Sequence, residues 1–229
     1  KFSFGHISSL SNEILNQLNY SDDCDEYGTG GQDYRMCRHH TNIELSTGDE
    51  IGTVGGNRDQ YALDVWAYDL RNDVLEYANP DRWYFDNLHI ACPLDYFSPD
   101  IKEEYESRLG AFNGSKKRTI EPLCGEAIQD ISGTAQAIWF AKGTESTYPE
   151  DPHIALVHDN IDPAIPVFSL GYGLDREQAI SSGIYPFTPE DSGNHNRNFS
   201  DTVIDETYCY TLERDYGDDY NIILKLPDS

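Results

Sequence analysis

The stretch TGDEIGTVGGNRDQYALDVWAYD, Thr47–Asp69, decides how the first part of this chain is read. Short runs of Val, Ile, Tyr and Trp alternate with Gly and Asp. That spacing predicts a turn at Ser46–Asp49, a short strand within Glu50–Gly56, and another within Tyr61–Leu70. A strand near Thr41–Leu45 completes a β-meander. The question is whether the stretch carries chemistry or only a well-made turn.

Working outward, Ile7, Leu10, Ile14, Leu15 and Leu18 recur at helical spacing, which predicts an amphipathic helix over 7–18. Ser21–Gln32 is rich in Asp and Gly and reads as loop, and Asn79–Trp83 as a turn. A second helix is expected between Ser98 and Gly110. Ser98 can cap it, Pro99 takes the first helical position, Asp100 and Glu103 suit its positive end, and Ile101, Tyr105 and Leu109 would form its buried stripe. The basic run Gly114–Thr119 reads as an exposed linker. From Glu121 onward strands dominate: 124–131, 133–143, 153–160, 164–171, 206–215 and 220–227, with one short helix possible at 175–183. Their turn spacing fits a sandwich or small barrel. The expected fold is mainly β. A β-domain with one or two helices spans 1–92, a helical connector 93–120, and a β-sandwich or barrel 121–229.

Charge narrows the function. Forty-one acids against 16 bases give −25 over 229 residues. Nucleic acid and anionic membrane surfaces would be repelled, and cations are the natural counter-partners. No apolar run approaches the ~18–20 residues that cross a bilayer as a helix. No leader is visible, and both ends read as cut from something longer. Five cysteines, Cys24, Cys37, Cys92, Cys124 and Cys209, include no CxxC, which disfavours zinc ribbons and redox motifs. Sequons at Asn19, Asn113 and Asn198, together with few Lys, point to a glycosylated extracellular or cell-surface protein. We pair Cys24 with Cys37 and Cys92 with Cys124. Cys209 is then left for another segment or another chain.

Two segments resemble the M23 peptidases, lysostaphin-like zinc enzymes with the duplicated hybrid motif. FGHISSL, with His6, is similar to the family's strand-borne histidine motif. STGDEIGTVGG, with Gly48, Asp49, Ile51, Gly52 and Gly55, is similar to its glycine turn. Where the family has His-x-His, this chain has Ala62-Leu63-Asp64. The resemblance implies a transition-state role for His6 and a ligand role at Asp64, with the remaining His and Asp ligands before Lys1. Catalytic zinc takes three protein ligands and an open position for water. Ala62 removes one of them, so His6 and Asp64 are expected to be vestigial. Residues 121–229 also resemble the second half of secreted proteins in which such a region precedes a β-rich domain, through CGEAIQDISGTAQAIWF and LVHDN.

Other candidates come from side-chain chemistry. Asp159, Asn160 and Asp162 offer hard oxygen ligands in a turn and could hold Ca²⁺, or could simply form an Asp/Asn turn. Asp22, Asp23, Asp25 and Glu26, and the acidic turn in 214–220, carry the same two readings. His39 and His40 would point to opposite faces of a strand, as would His153 and His158. Trp139 and Trp66 are candidate sugar platforms; Trp139 alternatively packs in a core. Glu126 and Asp130 would sit ~13 Å apart on one strand, wide for glycoside hydrolysis. No phosphate loop, dinucleotide fingerprint or nucleophile elbow is present. The sequence therefore points to a non-catalytic extracellular glycoprotein. It would bind envelope material or assemble with itself through Cys209 or exposed strand edges. The alternatives are a zinc endopeptidase and a carbohydrate-binding module.

Overall fold

A computed structural model describes residues 1–18, 24–29, 32–37, 43–55, 62–111, 113–144, 152–171, 180–212 and 219–226. The fold is mainly β, 33% strand against 15% helical, with several antiparallel sheets. Among the described residues no sheet closes into a barrel. Two compact units are present: Lys1–Asp69 with Ala91–Pro93, and Leu70–Ile90 with Leu94–Ser229.

The first unit opens with β1 (Phe2–Gly5), β2 (Ile7–Leu10) and a single helical turn, α1 (Asn12–Leu15). Then come β3 (Cys24–Thr29), β4 (Gln32–Cys37), β5 (Gly52–Val54), β6 (Asp64–Tyr68) and β7 (Ile90–Ala91). Sheet order is β1-β6-β7, with two-stranded pairs β2-β5 and β3-β4. The turn expected at Ser46–Asp49 is present: Asp49 Oδ2 accepts the Ser46 N–H at 2.6 Å and the Ser46 carbonyl accepts the Asp49 N–H at 3.1 Å.

The helix expected over 7–18 is a correction. Its first third is β2, paired antiparallel with β5. Ser8 and Ser9 hydroxyls meet Thr53 Oγ1 at 2.9 and 2.6 Å. A ladder partner and these cross-strand bonds outweigh a helical periodicity carried through two serines, which are weak helix formers. Ser11 then starts the helix, its hydroxyl accepting the Ile14 N–H at 3.4 Å. Gly52 fits this pairing because a Cβ there would overlap the Ser9 carbonyl. The loop reading of 21–32 is corrected too. Cys24–Thr29 and Gln32–Cys37 pair in register with Cys24 opposite Cys37. The strand expected near Thr41–Leu45 is absent from its described part, 43–45.

The second unit contains α2 (Pro99–Glu106), β8 (Ala137–Phe140), β9 (His153–His158), β10 (Pro166–Leu170), β11 (Gly183–Pro186), β12 (Thr207–Leu212) and β13 (Tyr220–Lys225). Four strands form a sheet in the order β11-β10-β9-β8, and β12-β13 form a ribbon. Between them lies an aromatic core. Phe168, buried at 1% exposure, meets Phe199 and Tyr210 edge-on at 5.0 and 5.1 Å between ring centroids. Phe187 joins at 5.2 Å from Phe199 and 5.1 Å from Tyr210. Each such pair contributes about 0.5–1.5 kcal/mol beyond area burial. Burial in this cluster, and then neighbouring Tyr208, pushes the Tyr210 phenol far above its ordinary value. Its hydroxyl has no hydrogen-bond partner among the described residues.

α2 lies where expected, but no residue of it is buried, and Ile101 and Tyr105 are exposed. The predicted buried stripe is wrong: Tyr105 rests only edge-on against Phe97, at 5.8 Å. The strand expected at 124–131 is also absent. The Gln129 side chain does a strand's work there. Its Oε1 accepts the His158 N–H at 2.7 Å, and its Nε2 donates to the His158 carbonyl at 3.2 Å.

Cys24, Cys92 and Cys124 are disulfide-bonded, and Cys92–Cys124 is the pair expected. Cys209 is a free, exposed thiol. No described helix is long and apolar enough to cross a membrane.

Candidate functional site

β1 and β6 run antiparallel with Ser3 opposite Trp66 and Gly5 opposite Asp64. Directly opposed residues share a face, so Ser3, Gly5, Asp64 and Trp66 lie together. The Trp66 ring lies over Gly5: a Cβ on Gly5 would sit 2.9 Å from ring atoms Cη2 and Cζ3. Trp66 is nevertheless 39% exposed. His6 follows Gly5 with a φ of 58°, an uncommon conformation for a residue with a side chain. Its Nδ1 stands 3.7 Å from Asp64 Oδ2. That Nδ1 is buried and makes no hydrogen bond among the described residues. The face therefore combines an exposed indole and a carboxylate acceptor, with the His6 imidazole beside them and its Nδ1 turned inward.

The resemblance implies zinc here, and these residues do not fit it. His6, for which the resemblance implies a transition-state role, and Asp64, the implied ligand, do come together. Ala62 offers no donor, and no described group of three His, Cys, Asp or Glu is placed to hold a metal. Of the two ligand positions that the resemblance implies among the described residues, only Asp64 carries a donor.

In the second unit, a cleft of about 230 Å³ adjoins an apolar groove of about 380 Å³ on the outer face of the four-stranded sheet. They share Glu126, Gln129, His158, Asp159 and Asn160. Arg118, 8% exposed, borders the cleft. It staples two loops by donating Nε to the Pro122 carbonyl at 2.9 Å and Nη1 to the Asn160 carbonyl. Asp159 Oδ1 accepts the Ile161 and Asp162 N–H groups at 2.8 and 2.7 Å, an Asx turn. Asp162 Oδ2 takes the Lys116 ammonium at 2.6 Å. That bond holds the Asp162 carboxyl below its ordinary range. The three residues nominated for Ca²⁺ lie in one turn, where backbone N–H groups take Asp159 Oδ1 and the Lys116 ammonium takes Asp162 Oδ2.

Trp139 donates its indole N–H to the Ala135 carbonyl at 2.8 Å and packs against the aromatic core, so it offers no open platform. Glu126 and Asp130 both border the groove, while Asp130 Oδ2 accepts the Ala78 N–H at 2.9 Å. His153 rests against Phe140 at 5.7 Å, and His158 Nδ1 donates to the Pro163 carbonyl at 2.7 Å. Asn113 is exposed and Asn198 half-buried. Asn19, Asp22, Asp23, His39 and His40 lie outside the described residues, as does most of the acidic turn in 214–220.

One grouping escaped the sequence. Glu190, His195 and Thr211 form a carboxylate–imidazole–hydroxyl chain. Its members are spread over 22 residues without a motif, and only the pairing of residues 190–197 with β12 joins them. Composition and periodicity carry no signal of that kind.

No family model, curated relative or solved structure matches the chain.

Proposed function

We propose that the protein is an extracellular or cell-surface binding protein for an envelope glycan, engaged through the face bearing His6, Asp64 and Trp66. The observation that carries this reading is the Trp66 ring, laid over Gly5 and open to solvent. A flat indole face packs against the apolar face of a sugar ring, while a carboxylate and an imidazole beside it bond the hydroxyls. The sequons at Asn19, Asn113 and Asn198, the disulfides and the acidic charge support the extracellular setting. With Ala62 in the ligand position, the first unit binds without hydrolysing peptide bonds.

Co-sedimentation with purified peptidoglycan, chitin and cellulose in EDTA tests this. The wild-type chain should pellet with at least one polymer, and Trp66→Ala should stay in solution. Equal pelleting of the two would remove the indole from the account.

Self-association is a second reading, favoured by the outer face of the β12-β13 ribbon. The free Cys209 stands opposite Ile223, which is 75% exposed. Light scattering of wild type and Cys209→Ser under oxidising conditions separates the readings. A covalent dimer present only in the wild type supports assembly; two monomers reject it.

A further inference from the structure

Thr211 Oγ1 lies 3.2 Å from His195 Nε2, and His195 Nδ1 lies 2.7 Å from Glu190 Oε1. The segment carrying Glu190 and His195 is clamped to the strand carrying Thr211. Cys209 N–H donates to the Asn194 carbonyl and Asn196 N–H to the Cys209 carbonyl, both at 2.8 Å. Glu190 N–H in turn donates to the Asn196 carbonyl at 2.9 Å. With the Glu190 carboxylate accepting the Nδ1 proton, a neutral imidazole keeps its lone pair on Nε2, toward the Thr211 hydroxyl. That is the tautomer a general base needs.

Two further observations converge on the same place. Asn196 adopts a φ of 45°, and its Oδ1 accepts the Thr211 backbone N–H at 2.9 Å. That bond fixes the amide and leaves its Nδ2, which no described residue engages, as a donor. Asn196 and Thr211 also line a cavity of about 360 Å³ whose other walls include Ile165, Pro186, Phe187 and Pro189. A hydroxyl, an imidazole and a carboxylate stand in line, and an amide donor and a half-open, largely apolar groove adjoin the hydroxyl, the kinds of group acyl transfer uses.

We propose that this is an acyl-transfer site that hydrolyses esters of small apolar acids. Thr211 Oγ1 attacks the ester carbonyl carbon while its proton passes to His195 Nε2. The carbonyl electron pair moves onto oxygen, where Asn196 Nδ2 donates a hydrogen bond. The tetrahedral adduct collapses by breaking the bond to the alcohol oxygen, which leaves with the proton from His195. Water, deprotonated by the same Nε2, then attacks the acyl–Thr211 ester, and the proton returns to Thr211 as the acid departs. Ester and water become acid and alcohol. Glu190 is a positioning residue that holds the imidazole. At rest the Thr211 hydroxyl donates its one proton to Asn221 Oδ1 at 3.2 Å, so reaction begins when that proton turns from Asn221 to His195 Nε2.

The test uses the purified full chain with p-nitrophenyl butyrate, followed by intact-mass and peptide mapping after a fluorophosphonate probe. The expected result is turnover above buffer and a single label on Thr211. Thr211→Val, which keeps the side-chain volume, should abolish both, while Thr211→Ser retains them. His195→Gln should lower turnover ~10²-fold or more, the usual share of a general base. Glu190→Gln should lower kcat with KM unchanged. Circular dichroism confirms that each variant folds. Absence of wild-type turnover, undiminished turnover in a folded Thr211→Val, or labelling elsewhere would overturn the assignment.

Discussion

Gly5→Ala tests the Trp66 platform without touching the indole. The added Cβ would lie 2.9 Å from Trp66 Cη2 and Cζ3 and 3.3 Å from the Asp64 Cβ. Comfortable carbon–carbon contact is about 3.5–4.0 Å, so the ring must withdraw by roughly 0.6–1.1 Å. Overpacking costs about 1–3 kcal/mol in a closed core. Trp66 is 39% exposed and can swing outward, which places the stability cost near ~1 kcal/mol. Binding should suffer more, because a tilted ring no longer offers its face. A loss of about 1.4 kcal/mol would be tenfold in affinity. The assay is a double-mutant cycle over Gly5→Ala and Trp66→Ala, read by urea unfolding and by glycan affinity. Gly5→Ala should cost stability in the wild-type background and almost nothing once Trp66 is alanine. Equal costs in both backgrounds would refute the ring-over-glycine contact.

Three further outcomes follow from the second unit and the cysteines. Lys116 lowers the Asp162 carboxyl below its ordinary 3.8. Its stabilisation is therefore whole above the unfolded value and is lost as pH falls through the folded one. Lys116→Gln should raise that carboxyl by NMR titration and flatten the acid limb of the stability curve. Tyr210→Phe removes a buried hydroxyl that has no partner among the described residues. It should stabilise the protein by ~1 kcal/mol, or about 2–4 °C in Tm, by differential scanning calorimetry. Thiol titration of the denatured, unreduced chain should find one thiol, Cys209, and Cys209→Ser should find none.

The legible parts of the fold were those where local chemistry and tertiary pairing agree. The turn at Ser46–Asp49 and the strands of Val167–Leu170 and Tyr208–Leu212 carry turn residues or alternating apolar runs, and they form as the sequence implies. Ile7–Leu10 fails because its partner, β5, lies more than forty residues on, and no window of sequence contains that ladder. Residues 124–131 fail because one glutamine side chain satisfies the backbone that a strand would otherwise pair. The β3-β4 hairpin was the most recoverable miss. Gly30-Gly31 separates two runs of equal length, a turn signal hidden by their acids. For the sites, His6 and Asp64 were nominated through a motif and do come together. Glu190, His195 and Thr211 were invisible because their meeting depends wholly on topology.

The most direct measurement is a fluorescence titration of the wild-type chain and Trp66→Ala with soluble fragments of the polymer that pellets the protein, in EDTA. A saturable change is expected in the wild type, unaltered by EDTA, absent in Trp66→Ala, and leaving the fragments intact. A response that requires zinc, or that survives in Trp66→Ala, would contradict it.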